Sequence, residues 1–380
     1  MKKRTHFLLL LICISFLSCN KAPKNQATPI SDIDTDFPVT EKLEFKPFNK
    51  YDILEIGFCM IDDSTLWFVN EGKYDFGSCY NLNTGEKLSI VASKGRAAYE
   101  LTYLDAFNMV GDSVQFHTNR NMIKTFAKQD IINNVPISDR KFSVITAPDS
   151  IKVYRMVKLP NGSVLTTLQP ALYGFETENT NEFNQKTVAI FNNKEANSYE
   201  IINYESFDIK KAEGSELPAN ELIKCAYTDG DIVVKDNDMA IFSVSHQFII
   251  YTFDINAGNI VNEKRYTKMQ REKSRDTSSM STTMTTVTTM NDKQIDIHSI
   301  KTNNKYILCS VQGYFSEDDK NSKLLKEAIF VFDCQLNPIR KFDLPNRENG
   351  YYTISNDCKS VYFCEFNEEG LTLHKADLNI

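Results

Sequence analysis

The chain has 380 residues, with 43 Lys and Arg against 50 Asp and Glu and a formal net charge of −7. An acidic chain without clustered basic residues argues against a nucleic-acid partner, which needs Lys and Arg in patches, and against electrostatic adhesion to anionic lipid. The length suits one large all-β domain or two smaller ones.

At the N-terminus, Lys2, Lys3 and Arg4 precede an uncharged apolar run over residues 7–17. The run is shorter than the roughly 20 residues that cross a bilayer and has the form of a cleaved export signal. It ends in Phe16-Leu17-Ser18-Cys19, which resembles a lipobox, where bacteria attach diacylglycerol to a Cys thiol and cleave just before it. The expectation is therefore a signal peptide over residues 1–18 and a lipid on Cys19. Such a lipid makes the membrane a partner that the chain sits on without spanning it. Residues 19–40, rich in Pro, Lys, Asn, Asp and Thr, read as a flexible tether.

After residue 50 helical periodicity is nearly absent. Short alternating stretches rich in Ile, Val, Phe, Tyr and Thr are separated by Asn, Asp and Gly, the pattern of strands and turns. Residues 65–69, 78–82 and 87–91 are such runs, with Asn83-Thr84-Gly85 as the hairpin turn and Gly85 supplying the positive φ that the turn needs. The same strand–turn–strand unit recurs at residues 250–261 around Asn256-Ala257-Gly258, and at 330–340 around Asn337-Pro338. A weaker copy spans 187–193, and an apolar run precedes each, at 163–167, 239–243 and 306–310.

Grouping these runs gives units over residues 51–95, 99–147, 151–205, 222–268, 295–345 and 349–380. All but the last have the length of a four-stranded propeller blade. The last supplies three strands, and the unassigned run at residues 43–48 is expected to be its outer fourth. That pairing would close the ring and remove the open sheet edges. The fold class read from the sequence is thus all-β, a six-bladed β-propeller over residues 41–380. Residues 210–220 are expected to be an inter-blade loop. The Ser/Thr/Met-rich segment 269–294 reads as a long excursion between the fourth and fifth blades, a hairpin or a mobile loop.

Chemistry-bearing motifs are sparse. Seven Cys follow Cys19, at positions 59, 79, 225, 309, 334, 358 and 364. Their spacing does not suit a zinc ribbon. Cys59, Cys79, Cys309 and Cys364 fall within apolar strand patterns and read as buried small hydrophobes, while Cys334 and Cys358 lie near turns where a bridge is open to them. His117, His246, His298 and His374 fall in separate units, which does not point to a metal cluster. No nucleophile elbow, P-loop or dinucleotide fingerprint occurs. Asp62-Asp63 and Glu317-Asp318-Asp319 are acidic turns with hard-oxygen ligands for Ca²⁺, read first as solvated turns. Met280, Met284 and Met290 are soft donors for copper in a low-complexity stretch. Glu368-Glu369-Gly370 reads as a hairpin turn, and Trp67, the one Trp, as core rather than a sugar platform.

Ser93-Lys94-Gly95-Arg96-Ala97-Ala98-Tyr99-Glu100-Leu101 follows the first unit. With the lipobox and the six units, it resembles the TolB-like six-bladed propeller lipoproteins of the Bacteroidetes, in which a G-R-G-P-G-E segment often stands there. Gly95, Arg96 and Glu100 match that pattern, while Ala97, Ala98 and Tyr99 replace its central Gly and Pro. The simplest role for these residues is an inter-blade turn held by an Arg96–Glu100 ion pair. The resemblance implies a fold and a cell-envelope location but no established activity. Surface-exported relatives carry acids just after the lipidated Cys; Asn20-Lys21-Ala22-Pro23-Lys24 has none, which favours an outer-membrane anchor facing the periplasm. The function expected is a non-catalytic binding or scaffolding module for a protein or peptide partner, with no cofactor. The alternatives are a carbohydrate lyase or hydrolase working at a channel mouth, and a sensor or accessory subunit of a transport complex.

Overall fold

The computed structural model describes residues 36–118, 121–148, 153–168, 188–191, 196–199, 231–236, 238–244, 248–266, 271–275, 285–289, 293–315, 326–347 and 349–380. Cys19, Cys225, His246, Glu317-Asp318-Asp319, the 210–220 loop and Met280, Met284 and Met290 lie outside these residues.

The alternating runs form six antiparallel sheets of four strands. The first blade is built from Phe58–Asp62, Thr65–Val69, Ser78–Asn81 and Lys87–Ile90. The second has Ala106–Val110, Ser113–Thr118, Met122–Ala127 and Phe142–Thr146, and the third Val153–Lys158, Val164–Leu168, Val188–Phe191 and Ala196–Tyr199. Ile232–Val234, Met239–Val244, Ile249–Asp254 and Asn259–Arg265 make the fourth; Lys293–Thr302, Tyr306–Phe315, Lys326–Asp333 and Pro338–Asp343 make the fifth. Gly350–Ile354, Ser360–Asn367 and Gly370–Asp377 make the sixth, with Lys46–Tyr51 paired antiparallel along Gly370–Asp377 from Lys46↔Lys375 to Tyr51↔Leu371.

Two details of this N-terminal region differ from the sequence expectation. The strand begins at Lys46 rather than residue 43, because Leu43 still donates its N–H to the Asp343 carbonyl of the fifth blade. Just before it, Thr40–Lys42 adds a parallel fifth strand to Pro338–Asp343. Part of what reads as tether is thus fastened to the ring. Between the fourth and fifth blades, Arg271–Arg275 and Thr285–Thr289 pair as a separate two-stranded sheet.

Local chemistry explains why the repeat is regular. In the first, fourth and fifth blades a carboxylate or amide oxygen at the end of the third strand caps the turn that follows. Asn81 Oδ1 accepts from the N–H groups of Asn83 and Thr84, Asp254 Oδ1 from Asn256 and Ala257, and Asp333 Oδ1 from Gln335 and Asn337. Gly85 and Gly258 take the positive φ in two of these turns. The third uses Leu336, whose side chain is buried there despite a φ of 64°. In the same three blades the ladder slips just before the turn, at Cys79/Tyr80, Thr252/Phe253 and Val331/Phe332. One turn design is therefore used three times, with a bulge that adds local twist.

Apolar faces of neighbouring blades pack at six seams, and these seams run around the full circle. Trp67 and Phe76 meet Phe116 and Phe126 between blades one and two, and Ile123 meets Val164 and Phe191 between two and three. Val157 and Leu165 meet Phe242 and Tyr251 between three and four, and Ile241 and Phe248 meet Phe330 and Phe332 between four and five. Leu308 and Val331 meet Ile354 and Val361 between five and six. Ile61, Leu66 and Phe68 meet Tyr362, Cys364 and Leu373 between one and six. The fold is a six-bladed β-propeller with four-stranded blades.

Trp67 is fully buried, its Nε1 donating to Thr65 Oγ1 at 2.8 Å. Cys59, Cys79, Cys309 and Cys364 are buried thiols. Cys334 and Cys358 do not bridge: both are free, Cys334 at the fifth-blade turn and Cys358 buried against the sixth. Glu368 and Glu369 turn the chain between the second and third strands of the sixth blade, where Gly370 takes a φ of 114°.

Candidate functional site

The first strand of every blade faces a common central channel of about 1030 Å³. Phe58, Met60 and Asp62 line it from the first blade, Asn108 and Met109 from the second, Arg155 and Val157 from the third, Ile232 and Val234 from the fourth, His298 and Lys301 from the fifth, and Tyr351 and Thr353 from the sixth. The channel is neither apolar nor plugged. It carries charged and polar side chains from all parts of the ring.

One group of these side chains is tied together across four blades. Asp62 ends the innermost strand of the first blade, held in a turn in which Asp63 takes a φ of 50° and Thr65 Oγ1 donates to the Asp62 carbonyl at 2.7 Å. Its carboxylate accepts from Lys128 Nζ at 2.7 Å and from Asn356 Nδ2 at 2.9 Å. Lys128 opens the short helix Lys128–Ile132 of the second blade, an element that strand periodicity does not announce, and its N–H donates to the Asp112 carbonyl. Asn356 follows the innermost strand of the sixth blade. Its backbone N–H donates to the Ile61 carbonyl at 2.9 Å, while Nδ2 also lies 3.4 Å from Met109 Sδ. Lys301 of the fifth blade completes the chain, donating from Nζ to Asn356 Oδ1 at 2.7 Å. Burial pulls the Lys301 amine below the ordinary lysine range, opposed by Cys358, Asp231 and Asp62.

Asp62 is therefore not the solvated turn acid expected from Asp62-Asp63. Only 12% of its side chain is exposed, and a lysine compensates its charge. Such a pair costs much to desolvate, and Asn356 offsets part of that by donating to the carboxylate while accepting from the Lys301 amine.

Glu327 is a second polar feature of the channel wall. It shares a strand face with Ile329 and Val331, both buried in the seam with the sixth blade. Its carboxylate makes no hydrogen bond or ion pair with the described residues, and burial pushes it up to about 7. Tyr352 stands beside it; burial first, and then the Glu327 charge, raise the Tyr352 phenol above its ordinary range. A carboxyl raised by folding burdens the folded state once it ionises. That cost is absent below the ordinary value of 4.5 and grows until pH passes about 7. Glu327→Gln is expected to melt above the native chain at about pH 8 and level with it near pH 4.5. A melting-temperature gap that is the same at both pH values would refute the assignment.

The motif after the first blade is an inter-blade turn, held differently from expectation. Glu100 Oε2 accepts from the Ala97 N–H at 2.8 Å, and Gly95 N–H and the Leu101 carbonyl join at 2.9 Å. The Glu100 carboxylate lies so close over Gly95 that a Cβ there would stand 1.9 Å from it, which explains the glycine. Arg96 is exposed and forms no pair with Glu100, so the carboxylate serves the backbone instead. The motif stays in the connector, and Gly95, Arg96 and Glu100 are absent from the channel lining.

The histidines are dispersed. His117 is buried in the second blade, His298 lines the channel, and His374 in the sixth blade lies 2.7 Å from Glu365. Among the described residues no group of three His, Cys, Asp or Glu could hold a metal ion. Lys128, Lys301, Asn356 and Glu327 escaped the reading of motifs. Only Glu327 carried a local sign, an acid in register with two buried apolar residues on one strand face.

No protein-family model matches the sequence. Comparison with curated proteins likewise finds no match. Among solved structures, the chain is similar to the β-propeller domain of Cps50 (Swd1) from Myceliophteria thermophila, at 9% identity and a TM-score of 0.42, covering 88% of this chain and 100% of that one. It is also similar to the computationally designed protein Ika8, at 7% identity and a TM-score of 0.36, over 86% of this chain and 100% of that one. The WD40 domain of SCAP from fission yeast matches at 8% identity and a TM-score of 0.37, over 85% of this chain and 82% of that one. At such identities and scores, the fold rests on the chain's own sheets, seams and channel.

Proposed function

We propose that this chain is a cell-envelope lipoprotein, anchored by lipid on Cys19 and facing the periplasm, whose propeller binds a protein or peptide partner through its central channel. The observation that carries the binding role is the channel itself. At about 1030 Å³ it lies at the upper end of the range for small-ligand pockets, about 300–1,000 Å³. It is lined from all six blades by a mixture of apolar and polar or charged groups rather than filled with side chains. The anchor rests on the N-terminal signal pattern, and kinship with the TolB-like propellers rests on that pattern and the six-blade count.

The same reading takes Lys46–Tyr51 as the clasp that closes the ring. Its ladder with Gly370–Asp377 supports this, as does the bond from Tyr51 Oη to the Leu82 carbonyl of the first blade at 2.6 Å. In-cell cross-linking from channel residues tests the binding role. A covalently captured protein mapped to the bore is the expected result, and capture only at the outer rim would contradict it. For the anchor, Cys19→Ala is expected to move the protein from the membrane fraction to the soluble fraction. Retention on membranes would refute the lipidation.

A further inference from the structure

Resting on the binding role above, we propose that the channel recognises a protonated amine, the side chain of a lysine on the partner segment, with Glu327 as its counter-ion. Three observations meet here. First, Glu327 is half-buried in the channel wall, and its carboxylate has no hydrogen bond or ion pair with the described residues. Two lysines of the channel are otherwise engaged: Lys128 holds Asp62, and Lys301 holds Asn356. A carboxylate taken out of water without a partner is costly, and a donor cation arriving with the ligand recovers that cost.

Second, the groups beside Glu327 do not supply the missing charge. Burial is what raises its carboxyl, and no described side chain forms an ion pair with it. Tyr352 flanks it from the sixth blade, with its hydroxyl already donated to the Pro345 carbonyl at 2.5 Å. Tyr351, on the opposite face of that strand, donates to the Gly57 carbonyl at 2.9 Å. Neither hydroxyl is left over as a donor to the carboxylate.

Third, an apolar run leads out of the channel. Phe58 lines the bore and is 75% exposed, its ring 6.4 Å from that of Tyr351. Two alternate positions upstream, Ile56 and Leu54 are 82% and 70% exposed. Exposed bulky residues in one short run mark a contact surface rather than ordinary scatter. An extended segment with apolar residues against Leu54, Ile56 and Phe58 and one lysine in the bore satisfies both features. A free sugar or a metal ion would leave the apolar run bare.

The test titrates the full chain, made lipid-free by Cys19→Ala, with two blocked peptides by calorimetry. One has the sequence Leu-Gly-Leu-Gly-Lys; the other carries norleucine in place of the lysine, with the same length but no charge. The lysine peptide is expected to bind about tenfold more tightly, in keeping with a charged hydrogen bond. Glu327→Gln is expected to erase that difference while leaving norleucine binding in place and melting no lower than the native chain. Equal binding of the two peptides, a preference that survives Glu327→Gln, or no binding of either would overturn the amine proposal. The broader binding role fails separately, through the cross-linking result, so the two failures can be told apart.

Discussion

Phe332→Ala is expected to lower the stability of the ring by about 3–5 kcal/mol, the cost of deleting a large aromatic from a packed core. Phe332 is fully buried at the seam between the fourth and fifth blades. Its ring centroid lies 5.4 Å from Phe37, 5.9 Å from Phe248 and 6.4 Å from Tyr266. Phe330 joins the same stack, 4.8 Å from Phe37 and 5.3 Å from Phe248. These rings come from three places in the chain: the N-terminal segment, the fourth blade and the fifth. The cavity left by Ala cannot collapse without moving all three, so the penalty should sit at the high end. Phe37 loses its seat as well, which loosens Asp36 and its links to Lys264 and Tyr266. Urea denaturation checks this: the midpoint should fall with little change in slope. Phe58→Ala, at an exposed ring, is the control and should stay within about 0.5 kcal/mol. A Phe332→Ala midpoint equal to that of the control would show that the stack contributes no packing.

The second large effect concerns the proposed ring clasp. A chain lacking residues 36–51 is expected to lose cooperative unfolding and to aggregate. Its removal bares the Gly370–Asp377 strand from Leu371 to Lys375, an unpaired edge that invites intermolecular pairing. It also takes Tyr51 from the seam between the first and sixth blades, where the ring packs on Tyr80 at 5.8 Å. The milder Tyr51→Phe separates the hydroxyl from the strand: losing the bond to the Leu82 carbonyl should cost about 1 kcal/mol. Size-exclusion chromatography and thermal unfolding of both variants give the answer. A shortened chain that stays monomeric and unfolds in one transition would refute the clasp.

Much of the fold was legible in the linear chain because a propeller is made of local units. Thr65–Val69, Ser360–Asn367 and Gly370–Asp377 fall where alternation places them to within a residue. The turns at Asn81, Asp254 and Asp333 use side chains that bond to backbone two to four residues on. Such contacts are encoded within a short window, so composition and spacing reveal them. The same window missed the first residues of the N-terminal strand, because Leu43 is held by Asp343, three hundred positions away in another blade.

The channel was not legible for the same reason in reverse. Asp62 reads as half of an acidic turn until the ring brings it against Lys128, 66 positions away, and Asn356, 294 positions away. Arg96 and Glu100 read as an ion pair until the chain bends the carboxylate onto a backbone N–H instead. Alternating hydrophobicity and turn chemistry by themselves determined that this chain forms strands, how many blades they make and where most hairpins lie, because those depend on neighbours along the chain. Only the closed ring decided which charges face one another and which are left without a partner. Electrostatic partnership depends on distance through space, and six radial sheets place residues from opposite ends of the chain around one axis.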